Sequence, residues 1–121
     1  MKVDAPLYSF DAPEDEVRRL EAKGYAGAFT YEGPHDPFFP LVLAARASER
    51  IELYTAVAIG FARNPMILAN IGWDLQAISG GRFLLGLGTQ IRPHIEKRFD
   101  MPWSKPATRM KEMVLAIKEI W

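Results

Sequence analysis

Glu32 and His35 are the residues of this 121-residue chain best suited to acid–base chemistry. They lie in the run Glu32-Gly33-Pro34-His35-Asp36, directly after a short apolar stretch that we interpret as a strand. A carboxylate and an imidazole beyond the end of a strand can exchange protons or hold a substrate by hydrogen bonds. The alternative is a proline-glycine turn that carries a surface histidine, and the residues alone leave both interpretations open.

The glycine-containing run Gly86–Gln90 is the second candidate. Glycine adopts dihedral angles that other residues avoid, so a backbone of this kind can approach a ligand closely. The run is not a dinucleotide-binding fingerprint, because no GxGxxG motif follows the first strand. The alternative is tight packing inside a barrel, where small residues fit.

His94 lies among basic residues in the segment Arg92–Arg98, which could meet an acidic group or simply be solvated. No metal site is expected, since the chain has no cysteine and no complete set of ligands at a known spacing. The tryptophans Trp73, Trp103 and Trp121 are expected to be packing residues, with Trp103 able to wall a ring system.

The overall composition excludes several classes of protein. Fifteen basic residues balance fifteen acidic ones, so no net charge recruits nucleic acid or an anionic membrane. No apolar window approaches the roughly 20 residues of a membrane-spanning helix, and no signal peptide is visible. We therefore expect a cytoplasmic protein with one domain over residues 1–121.

Four strands and four helices alternate in the sequence pattern. The predicted strands are Met1–Ala5, Ala26–Tyr31, Ile51–Ile59 and Arg82–Gly88. Proline in the first turn marks each helix start, with capping residues at Asp11, Asp36, Asn64 and Ser104, whereas Gly24 and Gly80-Gly81 end the first and third helices. The stripe expected to be buried in the third helix is Ile67, Leu68, Ile71, Leu75 and Ile78, and that in the last is Met110, Met113, Val114, Ile117 and Ile120.

This order predicts an α/β fold of four βα units with one parallel, curved sheet. A strand, a crossover helix and the next strand form a right-handed unit almost without exception. The carboxyl ends of parallel strands lie at one edge of the sheet, where α/β enzymes bind their ligands. Glu32, His35 and Gly86–Gln90 should therefore lie on the same side of the molecule.

Four phrases carry a family resemblance over essentially the whole chain: TYEGPHDPF, ARNP, WDLQAISGGRFLLGLG and HIEKRFDMPWSKPATRM. With these phrases the chain resembles the luciferase-like monooxygenase superfamily, and most closely its coenzyme F420-dependent branch. The resemblance implies a (β/α)₈ TIM barrel, of which this chain would form the first four units, a half-barrel. It also implies hydride transfer or monooxygenation on a small organic substrate, with F420 or alternatively FMN as cofactor.

The resemblance assigns roles to few residues. Glu32 and His35 would be catalytic, and Asp36 would lie beside the cofactor. The third strand of the family usually bulges at a non-proline cis peptide that backs the flavin ring, here Ala56–Val57, with Val57–Ala58 as second choice. Ala56, Val57 and Ala58 would thus bind the cofactor. Gly88 and Thr89 match the fourth-strand tip that borders it.

A half-barrel would leave strand edges and the inner face of its sheet uncovered, so we expect a homo-oligomer. Exchange of elements between copies, or a fragment that has lost its complement, are the other possibilities. The rival to an oxidoreductase is a catalytically silent half-barrel module that self-associates and binds no cofactor. A flavodoxin-like binding domain fits less well, because no phosphate loop follows the first strand.

Overall fold

The computed structural model describes residues 1–121, in which strands and helices alternate as predicted. The strands are β1 (Asp4–Pro6), β2 (Gly27–Thr30), β3 (Glu52–Thr55), β4 (Ala58–Ile59), β5 (Phe83–Leu84) and β6 (Leu87–Gly88). The helices are α1 (Pro13–Ala22), α2 (Phe38–Ala47), α3 (Pro65–Ile78), α4 (Arg92–Arg98) and α5 (Pro106–Ile120), with a 3₁₀ turn at Gly60–Ala62.

All strand pairs are parallel. One sheet has the order β1-β2-β3-β5, and β4 pairs with β6 beside it. The predicted α/β class with a parallel sheet is confirmed, and the sequential strand order is that of the first half of a (β/α)₈ barrel.

No helix is both long and apolar enough to cross a membrane.

Two predicted strands are interrupted, which the sequence pattern did not show. The predicted third strand breaks between β3 and β4, and the fourth breaks between β5 and β6. The breaks face each other, because the Thr55 hydroxyl donates to the Gly86 carbonyl at 2.7 Å and accepts from the Gly86 N–H at 3.0 Å. The Ala58 N–H donates to the same carbonyl at 2.9 Å. A side chain therefore replaces part of the backbone ladder at this point.

The predicted turn glycines are confirmed. Gly24, Gly80 and Gly81 have φ angles of 82°, 65° and 88°, which favour glycine and end the helices before them. The Asn64 side chain caps α3 as predicted, by accepting a 2.8 Å hydrogen bond from the Met66 N–H.

Three predicted cap residues are not those of the structure, and at α2 the cap residue is Pro37 in place of Asp36. Ala12 precedes α1 in place of Asp11, and Lys105 precedes α5 in place of Ser104, with no side-chain cap at either helix. The Ser9 hydroxyl accepts from the Ala12 N–H at 2.9 Å, just before α1.

Helix α4 was predicted as an irregular segment. It has seven residues and buries only Ile95, so its sequence carries almost no apolar periodicity. Pro93 lies in its first turn, where a missing N–H costs nothing.

The core lies between the sheet and the helices. Ala28 and Leu53 of the sheet meet Val17, Leu41 and Leu68 of the helices, all essentially without solvent exposure. The predicted stripe of α3 is only partly correct: Leu68 and Leu75 are buried and Ile71 is half-buried, whereas Ile67 and Ile78 are exposed. In α5, Met113 and Ile117 are buried, Met110 is half-buried, and Val114 and Ile120 are exposed.

The tryptophans differ from one another. Trp103 packs edge-on against Phe61, with ring centroids 5.6 Å apart. Trp121 is half exposed, although its indole N–H donates to the Ala69 carbonyl at 2.9 Å. Trp73 is 61% exposed, so its prediction as a packing residue is wrong.

Two charged side chains, Arg82 and Glu21, bind backbone groups of the turns that lead from a helix to the next strand, at the amino ends of the strands. The Arg82 guanidinium donates five hydrogen bonds of 2.7–3.0 Å, four of them to carbonyls and one to a hydroxyl. Those carbonyls belong to Ala45, Ser48, Ile51 and Ser79, around the carboxyl ends of α2 and α3. The Glu21 carboxylate accepts from three successive N–H groups at residues 49–51.

Candidate active site at the carboxyl ends of the strands

The Glu32 carboxylate, just beyond β2, is nearly enclosed, and one of its oxygens has two hydrogen-bond donors. Its Oε2 accepts a 2.6 Å hydrogen bond from the Ile59 N–H and another of 2.6 Å from Arg63 Nη1. The side chains of Glu32 and Arg63 are only 6% and 14% exposed. Arg63 also donates to the Ile59 carbonyl at 3.1 Å, so the pair encloses both backbone groups of one residue.

Asp36 is the second carboxylate bound by Arg63, through a 3.1 Å contact from Nη2 to Oδ2. Its other oxygen accepts from the Phe38 N–H at 2.8 Å. This bond gives a partner to the first N–H group of α2, although the cap residue of that helix is Pro37. Burial lowers the pKa of Arg63, but its hydrogen bonds and charge interactions with Glu32 and Asp36 outweigh that effect and raise it. The three side chains form a charged cluster that ties β2, the 3₁₀ turn and α2 together.

His35 lies apart from that cluster. Its ring is exposed and stacks on Phe10, with centroids 4.2 Å apart and planes 19° apart. No hydrogen bond or ion pair joins His35 to Glu32, so the structure does not bring the two predicted catalytic groups into contact. The turn between them is held from α4, since Arg98 donates to the Gly33 carbonyl.

The peptide bond Ala56–Val57 is cis, which confirms the first of the two positions expected from the resemblance. The Ala56 N–H donates to the Thr30 carbonyl at 2.7 Å, and the Val57 carbonyl accepts from the Glu32 N–H at 3.1 Å. Ala56 is exposed and Val57 is 42% exposed, so both side chains are open to solvent. The Ala58 side chain is fully buried, so it does not reach the surface.

Gly88 and Thr89 lie next to this segment. A Cβ on Gly88 would come within 2.5 Å of Val57 Cγ2, so the glycine lets the Val57 side chain lie against its backbone. Thr89 is half-buried and its hydroxyl donates to the Gln90 carbonyl at 3.0 Å. The Val57 side chain thus lies against the Gly88 backbone, and we call Ala56, Val57, Gly88 and Thr89 together the strand-tip wall.

Gly86 has a different reason to be glycine. A Cβ there would lie 1.9 Å from the Thr55 carbonyl oxygen, which is far inside any permitted contact. Packing between β3 and the β5–β6 break therefore requires it, as the barrel-packing alternative proposed.

Arg63 is the charged residue of this region that the sequence reasoning did not assign, whereas Arg98 was considered only as part of the basic segment Arg92–Arg98. Arg63 was present in the phrase ARNP, but its neighbours suggested only a helix start. Its partners lie 31 and 27 residues away along the chain, so no local spacing reveals them. His94 is exposed, and no group of three or more histidine, cysteine or acidic side chains is arranged to hold a metal ion.

Comparisons with known proteins agree with this geometry. A family model described as luciferase-like monooxygenase matches residues 4–121. An uncharacterised protein of Mycobacterium tuberculosis is 61% identical over 107 residues, which are 88% of this chain and 32% of that protein. A second M. tuberculosis protein, named provisionally as a coenzyme F420-dependent oxidoreductase, is 30% identical over 106 residues, 87% of this chain and 30% of its own length.

A solved structure shares the fold. The oxygenating constituent of 3,6-diketocamphane monooxygenase from Pseudomonas putida, in complex with FMN, superposes with a TM-score of 0.86 at 16% identity. The match covers all of this chain and 40% of that one. The chain therefore spans about a third of the length of the curated relatives it matches.

Proposed function

Because the chain belongs to the luciferase-like monooxygenase family, we propose that it supplies part of the active site of an oxidoreductase that uses coenzyme F420 or FMN. The proposal covers hydride transfer or monooxygenation on a small organic substrate. One relative named for F420 and one fold neighbour that contains FMN support the two cofactors.

The strand-tip wall is the observation that carries the proposal. Its four residues are small or medium-sized and carry no charge, and the Val57 side chain lies against the Gly88 backbone, where a Cβ would collide with it. A planar tricyclic ring requires such a face, since cofactor sites are mostly apolar with few polar groups. The residues present therefore fit one side of a flavin or deazaflavin ring.

Glu32 and Arg63 hold this wall in place. The Glu32 N–H and carboxylate bind the Val57 carbonyl and the Ile59 N–H, on both sides of the buried Ala58. Because the carboxylate is bound by Arg63 and by the Ile59 N–H, we assign Glu32 a positioning role in place of proton transfer. Asp36 contributes through the same arginine.

His35 is the group available for proton transfer. Its ring nitrogens have no protein partner, and its exposed position leaves them free to hold or deliver a proton. Either cofactor, when bound, would supply the hydride, and only reduced flavin would also activate oxygen efficiently.

A direct test is titration of F420 and FMN with the purified chain while their fluorescence is followed. We expect saturable quenching that Val57→Glu weakens at least tenfold, because a charge would stand on the wall. Ile67→Glu is the matched control, since Ile67 is exposed on α3 and lies outside the wall. If neither cofactor bound at high protein concentration, the proposal would be contradicted. The catalytically silent module would then be the remaining interpretation.

Self-association is a separate part of the proposal. β1 and β5 are the uncovered edges of the four-stranded sheet, and Trp73, Leu84 and Trp121 are exposed large apolar residues. Unpaired strand edges and apolar patches favour pairing with another chain. Sedimentation velocity should show a homo-oligomer, and a well-folded monomer at micromolar concentration would contradict this.

A further inference from the structure

A pocket of about 250 Å³ opens between the loop after β1 and the loop after β2. Its floor is formed by buried Leu7, Thr30, Pro37 and Pro40. None of the residues of the strand-tip wall lines it. The pocket is therefore a separate feature on the same side of the fold.

Four rings surround the opening in two pairs. Tyr8 and Tyr31 meet edge to face, with centroids 6.5 Å apart and planes at 79°. Phe10 and His35 are stacked at 4.2 Å. Tyr31 also lies over Gly33, where an added Cβ would be 3.5 Å from its ring. The rings thus hold one another in defined orientations.

These rings are unusually exposed for aromatic side chains. Tyr8 is 70% exposed, and Phe10 and Tyr31 are each about half exposed. Exposure of these apolar rings to water around a concave site is unfavourable, because their surface is not buried. A ligand that covers the rings would bury that surface and gain the corresponding free energy. Aromatic pairs also favour a further ring in stacked or edge-on contact.

The charges around the pocket favour a neutral ligand. Asp36 is the only carboxylate in the lining, and both its oxygens are occupied, by the Phe38 N–H and by Arg63. Polar partners remain, because the Ser9 hydroxyl accepts from Ala12 and keeps its own proton free. The Tyr8 and Tyr31 hydroxyls bind no protein group and can donate as well.

We propose that this pocket binds a neutral aromatic ring that carries a hydroxyl or carbonyl group. Its volume is slightly below the roughly 300 Å³ at which drug-sized sites begin, so one or two fused rings would fill it. The assignment of that ring to the substrate rests on the proposed function, with His35 at the rim to exchange a proton with it. The binding itself does not depend on the cofactor.

The test uses 2-naphthol as the probe and the ¹⁵N-labelled chain, with amide chemical shifts as the readout. We expect saturable shifts centred on residues 7–10 and 30–37. Phe10→Leu keeps the apolar volume but removes a ring, and it should weaken binding about fivefold. Phe39→Leu is the control, since Phe39 is 66% exposed but does not line the pocket.

Saturated decahydro-2-naphthol provides the second control, because it has the shape and hydroxyl of the probe without its π-system. Weaker binding of this compound supports recognition of an aromatic ring. Equal affinity for both compounds, equal loss in the two phenylalanine variants, or no saturable shift in folded protein would each overturn the proposal. If the chain bound 2-naphthol but neither F420 nor FMN, only the proposed function would be contradicted.

Discussion

Arg63 Nη1 lies 2.6 Å from Glu32 Oε2, in an ion pair that joins the end of β2 to the start of α3. The same carboxylate oxygen receives the Ile59 N–H at 2.6 Å. A charged pair so little exposed is stable only when its polar atoms find partners, and no fully buried side-chain nitrogen or oxygen of this chain lacks one. The pair therefore fixes the backbone that forms the strand-tip wall.

Removal of one partner from this pair should be costly. Arg63→Met would leave the Glu32 carboxylate buried without a cation, and we expect the free energy of unfolding to fall by about 3 kcal/mol. Urea denaturation measures the change. Arg18→Met is the matched control, because Arg18 and Asp15 form an exposed pair whose loss should cost under about 1 kcal/mol. Similar losses in the two variants would contradict the assigned role.

Arg82 should not be replaceable by lysine. Its guanidinium satisfies carbonyls of α2, α3 and the start of the third strand region through five hydrogen bonds, which a lysine with three donors on one atom cannot reproduce. We expect Arg82→Lys to lower the free energy of unfolding by about 2 kcal/mol or more. Arg50→Lys, at an exposed position, should change it little. Equal melting temperatures of the wild type and Arg82→Lys would refute the prediction.

Glu21 should make stability depend on acid pH. Burial raises the pKa of its carboxyl, but hydrogen bonds from the N–H groups of Arg50, Ile51 and Glu49, with the charge of Arg50, outweigh burial and lower it below 4.5. A carboxyl with a depressed pKa contributes stability above its unfolded pKa and loses it as pH falls through the folded value. Glu21→Gln should therefore flatten the decline below about pH 4.5.

Chemical denaturation at a series of pH values measures this contribution. Glu112→Gln is the control, since Glu112 is exposed and makes no ion pair. If Glu21→Gln and the wild type declined in parallel below pH 4.5, the hydrogen-bonded carboxylate would have no part in acid stability.

Gly86 should tolerate no side chain. The Cβ of Gly86→Ala would lie 1.9 Å from the Thr55 carbonyl oxygen, and backbone must move to admit it. We expect a loss of about 3 kcal/mol or more in the free energy of unfolding. Gly33→Ala places its Cβ 3.5 Å from the Tyr31 ring, an ordinary contact, and should be nearly neutral. A stable, unchanged Gly86→Ala would show that the two facing strand breaks are not closely packed.

Local signals in the sequence were sufficient for the order of strands and helices and for several of their ends. Asn64 caps α3 and Gly24, Gly80 and Gly81 end helices, because such residues act through their own backbone within a few positions. The same reasoning failed at Asp11 and Ser104, because no side chain caps either helix.

Contacts between distant segments needed the tertiary structure. Periodicity could not show that Ile67 and Ile78 face solvent, since that depends on which neighbours cover α3. Nor could it show that Arg63 reaches Glu32 and Asp36, that Phe10 stacks on His35, or that Thr55 bridges the break at Gly86.

The sequence by itself determined the α/β class, the parallel order of strands and the family, because hydrophobic period, turn residues and local phrases are properties of short segments. Only the tertiary structure decided that Glu32 is locked in an ion pair while His35 stays free, and that Gly86 serves packing whereas Gly88 serves the wall. Those roles depend on which groups come into contact across the sheet. Contacts between residues so far apart in the sequence form only when the chain is folded.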